Sequence, residues 1–371
     1  MKKYLFTLFS LLLGSVCLVS CSVNDDDEVP ASLSPDATRT VYVHYDDSVA
    51  TVFVPSGVKG VTYTVDGANV TLTSTNESKE ICYRLSGTAT GSLTFYGSYK
   101  CTFLLEGLNL TSTTGAALDI ECGKRIEMQL ADGTENTLVD AVGGTQKAAL
   151  YCKGHLELSG SGTLTVTGNT RHAISTKEYL LLKRTLGALT VEAAVSDGIH
   201  AGQYFRMNGG TVAINNVGGD ALQAEATDDP SDELNGQLFV RGGSLTTLLT
   251  GQDSKGIKAD SLITISGGTI EIEARGNGSR GIQTSGDMLI TEGEGDAPNI
   301  SILASGARCT VAEDADDPHR CMGIKVEGDL TVEAGTTVVQ NTGKKSKAIR
   351  VYGTYTKTGG TVVGAIDNSD K

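Results

Sequence analysis

The chain has 371 residues with 46 glycines, 6 prolines and no tryptophan, and 39% of its residues are hydrophobic. Glycine exceeds its usual share of about 7% without a collagen period, and the apolar residues fall in many short runs, which excludes a helical bundle and a disordered chain. A formal net charge of −14 opposes phosphate backbones and anionic surfaces, so no nucleic-acid partner is expected.

Residues 1–20 read as a lipoprotein signal peptide. Lys2 and Lys3 precede an uncharged, leucine-rich stretch from Tyr4 to Ser20, too short to span a bilayer. Leu18-Val19-Ser20-Cys21 resembles a lipobox, which makes Cys21 the expected lipidation site and the outer membrane the expected anchor. Residues 21–38 form a tether whose run Asp25-Asp26-Asp27-Glu28 either resembles the surface-export tag of bacterial lipoproteins or is an ordinary solvated linker. Six cysteines remain besides Cys17 in the leader and the lipidated Cys21: Cys82, Cys101, Cys122, Cys152, Cys309 and Cys321. An even number in an exported chain permits disulfides, and Cys309 and Cys321, which bracket an acidic loop, are the expected pair. No C-x-x-C occurs, so the thiols give no metal signature.

From residue 39 to 110 strands alternate, as in Val61-Thr62-Tyr63-Thr64-Val65, but no period is visible; this segment is an N-terminal β cap or a set of degenerate early coils. From 111 to 363 a small residue followed by an aliphatic anchor recurs, at Ala117-Leu118, Ala149-Leu150, Ala173-Ile174, Gly198-Ile199, Ala221-Leu222, Gly256-Ile257, Gly281-Ile282, Gly323-Ile324 and Ala348-Ile349. Spacings cluster at about 23–25 residues, the two longest holding acidic insertions. Each unit divides into three short strands, for example Ile257–Ala259, Leu262–Ile265 and Thr269–Glu273, with Gly-Gly turns at 209–210, 242–243, 267–268 and 359–360 that suit positive φ. A single coil cannot bury its inward aliphatics, whereas coils stacked about 4.8 Å apart can, so the fold expected is an all-β, right-handed parallel β-helix. Residues 364–371 are a polar tail.

Stacking turns each repeat position into a column on the surface. One place after the anchor lie Asp119, Tyr151, Ser175, His200, Gln223, Lys258, Gln283, Lys325 and Arg350, polar throughout and basic toward the C-terminus. Either this is a solvated face, or the members from His200 to Arg350 bind an extended polysaccharide, with uronate carboxylates meeting the cations. Two places before the anchor, Asp197 and Asp220 fall on consecutive coils. They either cap turns or, with oxygens from Asp260 and Glu225, hold calcium. Hydrolase and phosphate-loop motifs are absent; the one chemistry compatible with the inventory is β-elimination of a polyuronate using Lys255, Lys258 or Arg280, each exposed and fully protonated and so poor as a base.

The block from Arg125-Ile126-Glu127-Met128 through Asn136-Thr137-Leu138-Val139-Asp140, with Ser196-Asp197-Gly198-Ile199-His200-Ala201 and Gly256-Ile257-Lys258-Ala259-Asp260, resembles a bacterial carbohydrate-binding β-helix family similar in fold to family 9 polysaccharide lyases. The resemblance runs from about residue 40 to 363. It implies calcium-assisted binding of cellulose-like or pectic polymers, with acids of the Ser-Asp-Gly-Ile type as ligands. Only Asp197 and Asp220 match that position; Lys255, Arg280, Met322 and Lys347 replace further acids. The reading is a monomeric cell-envelope lipoprotein that binds an acidic polysaccharide with calcium and without turnover. A structural or adhesive surface protein and a calcium-dependent lyase are the alternatives.

Overall fold

The computed structural model describes residues 39–310 and 319–368. The leader, Cys21, the acidic tether and the acidic run at 313–318 lie outside the described residues. Those described form no helix and thirty-five strands, which coil into a parallel β-helix. Its thirteen-stranded sheet takes one strand from each coil, and the other two strands of each coil stack into the remaining faces, as Leu262–Ile265 on Asp287–Ile290 and Thr269–Ala274 on Asn299–Ala304.

The nine anchors form a single column. Leu118, Leu150, Ile174, Ile199, Leu222, Ile257, Ile282, Ile324 and Ile349 pair in register from coil to coil, and all are buried. The small residue before each anchor also turns inward. A Cβ on Gly281 would lie 2.6 Å from both the Gly323 carbonyl oxygen and Ile302 Cγ2, and one on Gly256 2.6 Å from the Gly281 carbonyl oxygen. Strand alternation therefore breaks at this point, and the pairing steps from Lys255↔Arg280 to Ile257↔Ile282 over the intervening glycine. The second glycine of each Gly-Gly turn has positive φ, from 63° at Gly360 to 85° at Gly210 and Gly243, which L-residues rarely adopt.

Residues 40–110 belong to the same stack. Asn69–Ser74 pairs in parallel with Ser92–Gly97, which pairs with Leu118–Glu121. Only the first members are antiparallel: Thr40–Asp47 with Val49–Phe53, and Val61–Asp66 with Asn69–Ser74. The period is hidden here because aromatic rings fill the core. Tyr83, Phe95 and Phe103 meet with centroids 4.9–5.3 Å apart, and these larger side chains replace the small-aliphatic pair. At the other end, Ile366–Asp367 pairs with Ile349 and Arg350, so the stack runs past residue 363.

The expected Cys309–Cys321 bridge is not formed; the six described cysteines are free thiols. Cys321 points into the core, its Sγ 3.6 Å from the Ala274 carbonyl oxygen. Cys309 lies partly exposed, where its N–H donates to His319 O.

On an adjoining face Glu127 and Glu157 stack on neighbouring coils. Lys183 Nζ lies 3.2 Å and 3.0 Å from their carboxylates, and Arg125 is 3.4 Å from Glu157. Burial alone would raise the Glu157 carboxyl, but Lys183 and Arg125 hold it below its ordinary value. With its folded pKa depressed, Glu157 contributes stability that is present above the unfolded pKa of about 4.3 and lost as pH falls below it. Glu157→Gln should flatten the decline of Tm between about pH 5 and pH 3, which thermal melts across that range would measure. In the anchor column Ile257→Ala should cost about 2–5 kcal/mol. Gly281→Val should cost about 1–3 kcal/mol by overpacking. Denaturant melts of both variants against Lys325→Ala, which should change stability far less, check these values.

Candidate functional site

The break in alternation at the small residue decides what the outer surface presents. Because the small residue and the anchor both point inward, the positions two before and one after the anchor come out on the same face. The two polar columns are therefore neighbours. The column after the anchor is continuous in register from Asp119 through Tyr151, Ser175, His200, Gln223, Lys258, Gln283 and Lys325 to Arg350. Its members shield one another, so that Tyr151, Ser175, Gln223 and Arg350 are buried although they lie on the outside.

All six residues expected to bind carbohydrate thus share one column, and its charged members have partners within the chain. His200 Nε2 lies 3.0 Å from Glu225 Oε2, and Lys258 Nζ lies 3.5 Å from Asp220 Oδ2. Lys325 pairs with Glu327 at 2.6 Å and Arg350 with Asp367 at 2.6 Å. The column ends in a shallow cleft of about 380 Å³ whose lining includes Lys325, Lys347, Arg350 and Tyr352. There the Arg350 guanidinium lies 4.4 Å from the Tyr352 ring centroid and Lys325 Nζ 5.6 Å. Ring and cations together offer an apolar surface beside charge. Tyr352 reaches the end of the column because it lies two residues after Arg350 and so, by strand alternation, on the same face.

A larger cleft of about 650 Å³ follows the Gly-Gly turns, with Arg184, Asn208, Arg241 and Asp296 in its lining. It lies at another corner of the coil, where Asn208, Arg241 and Ser266 follow the strands Tyr204–Met207, Gln237–Val240 and Leu262–Ile265 at equivalent places on successive coils. The anchors do not reveal it, because it follows a different strand of the coil, with Arg184 one place beyond the position that Asn208 and Arg241 share.

The three residues expected to hold calcium separate. Asp197 and Asp220 are adjacent: Asp197 Oδ1 accepts the Asp220 backbone N–H at 2.9 Å, and Asp220 Oδ1 accepts that of Lys255 at 2.9 Å. Each carboxylate caps the next coil where the turn interrupts the ladder. Asp287 and Asp329 repeat the device, accepting the N–H groups of Asp329 and Thr354 at 2.8 Å and 2.7 Å. Asp260 lies beyond the far end of Lys255–Ala259, where its Oδ2 accepts the Ala226 N–H at 3.0 Å. Calcium needs six to eight oxygens. Around Asp220 stand two ammonium groups, with Lys255 Nζ 3.8 Å away and Lys258 Nζ 3.5 Å away, and around Asp197 stand two imidazoles. This donor set does not fit calcium. Burial raises the Asp220 carboxyl despite the two lysines. Burial would also raise Asp197, but its contacts with His172 and His200 and the hydrogen bond from the Asp220 N–H bring it well below the ordinary carboxylate range.

The family profile described as carbohydrate-binding domain-containing protein matches residues 66–370. A curated carbohydrate-binding domain-containing protein of Acetivibrio thermocellus is 31% identical over 140 residues, or 35% of this chain and 48% of the relative. The match therefore spans about half the length of that relative. In three dimensions the chain is similar to a polysaccharide lyase-like protein from C. thermocellum, solved as a gadolinium derivative. The TM-score is 0.57 at 23% identity, covering 70% of this chain and all of that one; the likeness is one of fold. The profile spans nearly the whole parallel stack, and the chain belongs to the family of carbohydrate-binding domain-containing proteins.

Proposed function

We propose that the chain is a monomeric lipoprotein, anchored in the outer membrane through Cys21, that binds a uronate-containing polysaccharide lengthwise along the column from His200 to Arg350 without turning it over. The observation that carries this reading is the in-register series Gln223, Lys258, Gln283, Lys325 and Arg350 running into the cleft beside Tyr352. Successive coils are about 4.8 Å apart, close to the length of one pyranose unit, so a linear glycan laid across the strands meets one side chain per sugar. Amides alternate with cations, which suits a chain carrying hydroxyl and carboxylate groups. The ion pairs to Asp220, Glu327 and Asp367 hold the cations in place. A glycan carboxylate would share or displace those acids, so binding should be moderate in strength and sensitive to salt.

Titration calorimetry of the chain from Ser22 against polygalacturonate and against a neutral glucan tests the proposal. Heat should appear with the polyuronate and fade at about 0.5 M salt, where screening shortens to a few ångströms. Lys325→Ala with Arg350→Ala should raise Kd roughly tenfold or more, as expected for two charge-assisted contacts. No heat with either polymer would favour a structural or adhesive role, and release of unsaturated oligouronides would identify a lyase.

A further inference from the structure

We propose that His172, Asp197 and His200 form a binding site for one divalent transition-metal ion of zinc-like chemistry. His172 stands two places before its anchor, Asp197 occupies the same place on the next coil, and His200 stands one place after the anchor of that coil. The shared outer face of the two columns brings them together. The imidazole rings stack with centroids 4.7 Å apart. A single carboxylate oxygen, Asp197 Oδ2, lies 3.2 Å from His172 Nδ1 and 3.2 Å from His200 Nδ1. The ligand atoms of the three residues lie within 4.8 Å of one another, and the group is at most slightly exposed.

Two contacts orient these atoms. Asp197 Oδ1 is held by the Asp220 N–H, which leaves Oδ2 for the cluster. His200 Nε2 lies 3.0 Å from Glu225 Oε2; donating its proton there leaves a lone pair on Nδ1, the arrangement by which a carboxylate fixes a metal-binding histidine. His172 Nδ1 faces Asp197 Oδ2 at 3.2 Å, and a metal there would take its lone pair in place of the 3.3 Å contact with the Asp197 backbone N–H. Two imidazole nitrogens and a carboxylate oxygen from three side chains thus converge on one point.

The donor set selects the ion. Two imidazole nitrogens and one carboxylate oxygen suit zinc and its first-row neighbours and not calcium. Ligand edges of 3.2 Å match the separation of about 3.3 Å between ligands on a tetrahedron with metal–ligand bonds of about 2.0 Å. Three protein ligands leave a fourth position toward solvent on the side where Asp197 and His200 retain some exposure. His200 is shared with the first place of the glycan column, so the metal site is tested without any sugar.

The full chain, stripped with chelator, is titrated with zinc alone and calcium alone by calorimetry, and with cobalt by visible absorption. The expected result is one zinc per chain with a raised Tm, no response to calcium, and cobalt bands without the near-ultraviolet charge transfer of thiolate ligation. His200→Gln and Asp197→Asn should abolish this binding, and Glu225→Gln should weaken it roughly 10–100-fold. Should Asp197→Asn fail to fold because the Asp220 cap is lost, His200→Gln, whose ring lies at the outer surface, carries the test by itself once circular dichroism shows a native fold. Absence of stoichiometric zinc, wild-type affinity in folded His200→Gln, or thiolate charge transfer would each overturn the assignment.

Discussion

The outer surface of this solenoid is organised by the inward stack of anchors. Each Leu or Ile in the column covers the anchors of two neighbouring coils, and full burial of such a side chain is worth about 1.5–3 kcal/mol. A one-residue slip would turn these side chains toward water on every strand it touched, so the register is strongly specified. A fixed register places every repeat position at a constant location from coil to coil. That regularity makes a row of Gln, Lys and Arg a surface with a spacing, and not a scatter of polar groups.

Much of this was legible in the primary structure because the period was. The nine anchors, the column after them, the three strands of a coil and the second glycine of each Gly-Gly turn all follow from one repeat, and they are found where the repeat puts them. The early coils escaped because Tyr83, Phe95 and Phe103 meet the same need for buried volume by different means. The cluster at Asp197 escaped for another reason. His172 and His200 belong to different columns, which strict alternation assigns to opposite faces. Only the inward turn of two successive residues at the corner brings them together, and that depends on packing against residues such as Ile302 on another strand of the coil. The cysteine pair failed similarly: bracketing a loop said nothing about Cys321 facing the core.

A chain of net charge −14 sets a carboxylate beside several of the cations in its two neighbouring columns. Asp220 faces Lys255 and Lys258, Glu327 faces Lys325, and Asp367 faces Lys347 and Arg350. Several of these acids also accept backbone hydrogen bonds or lie on the next coil, so they serve the register and the electrostatics together. Holding long side chains in defined positions lowers the entropy lost when a ligand arrives. It also leaves a face whose local potential is far milder than a bare row of lysines would create.

Leu222 and Ile257 are separated by more sequence than most neighbouring anchors, yet they pair directly. The extra residues, Ala226 to Asn235, leave the coil at a corner and return to it, tied by the Asn235 side chain to the Thr227 N–H and carbonyl. The ladder passes beneath this excursion unchanged. Lineages can therefore lengthen, shorten or exchange such corner segments without refolding the scaffold, which leaves the spacing of the face to inheritance and the shape of its rim to rapid divergence.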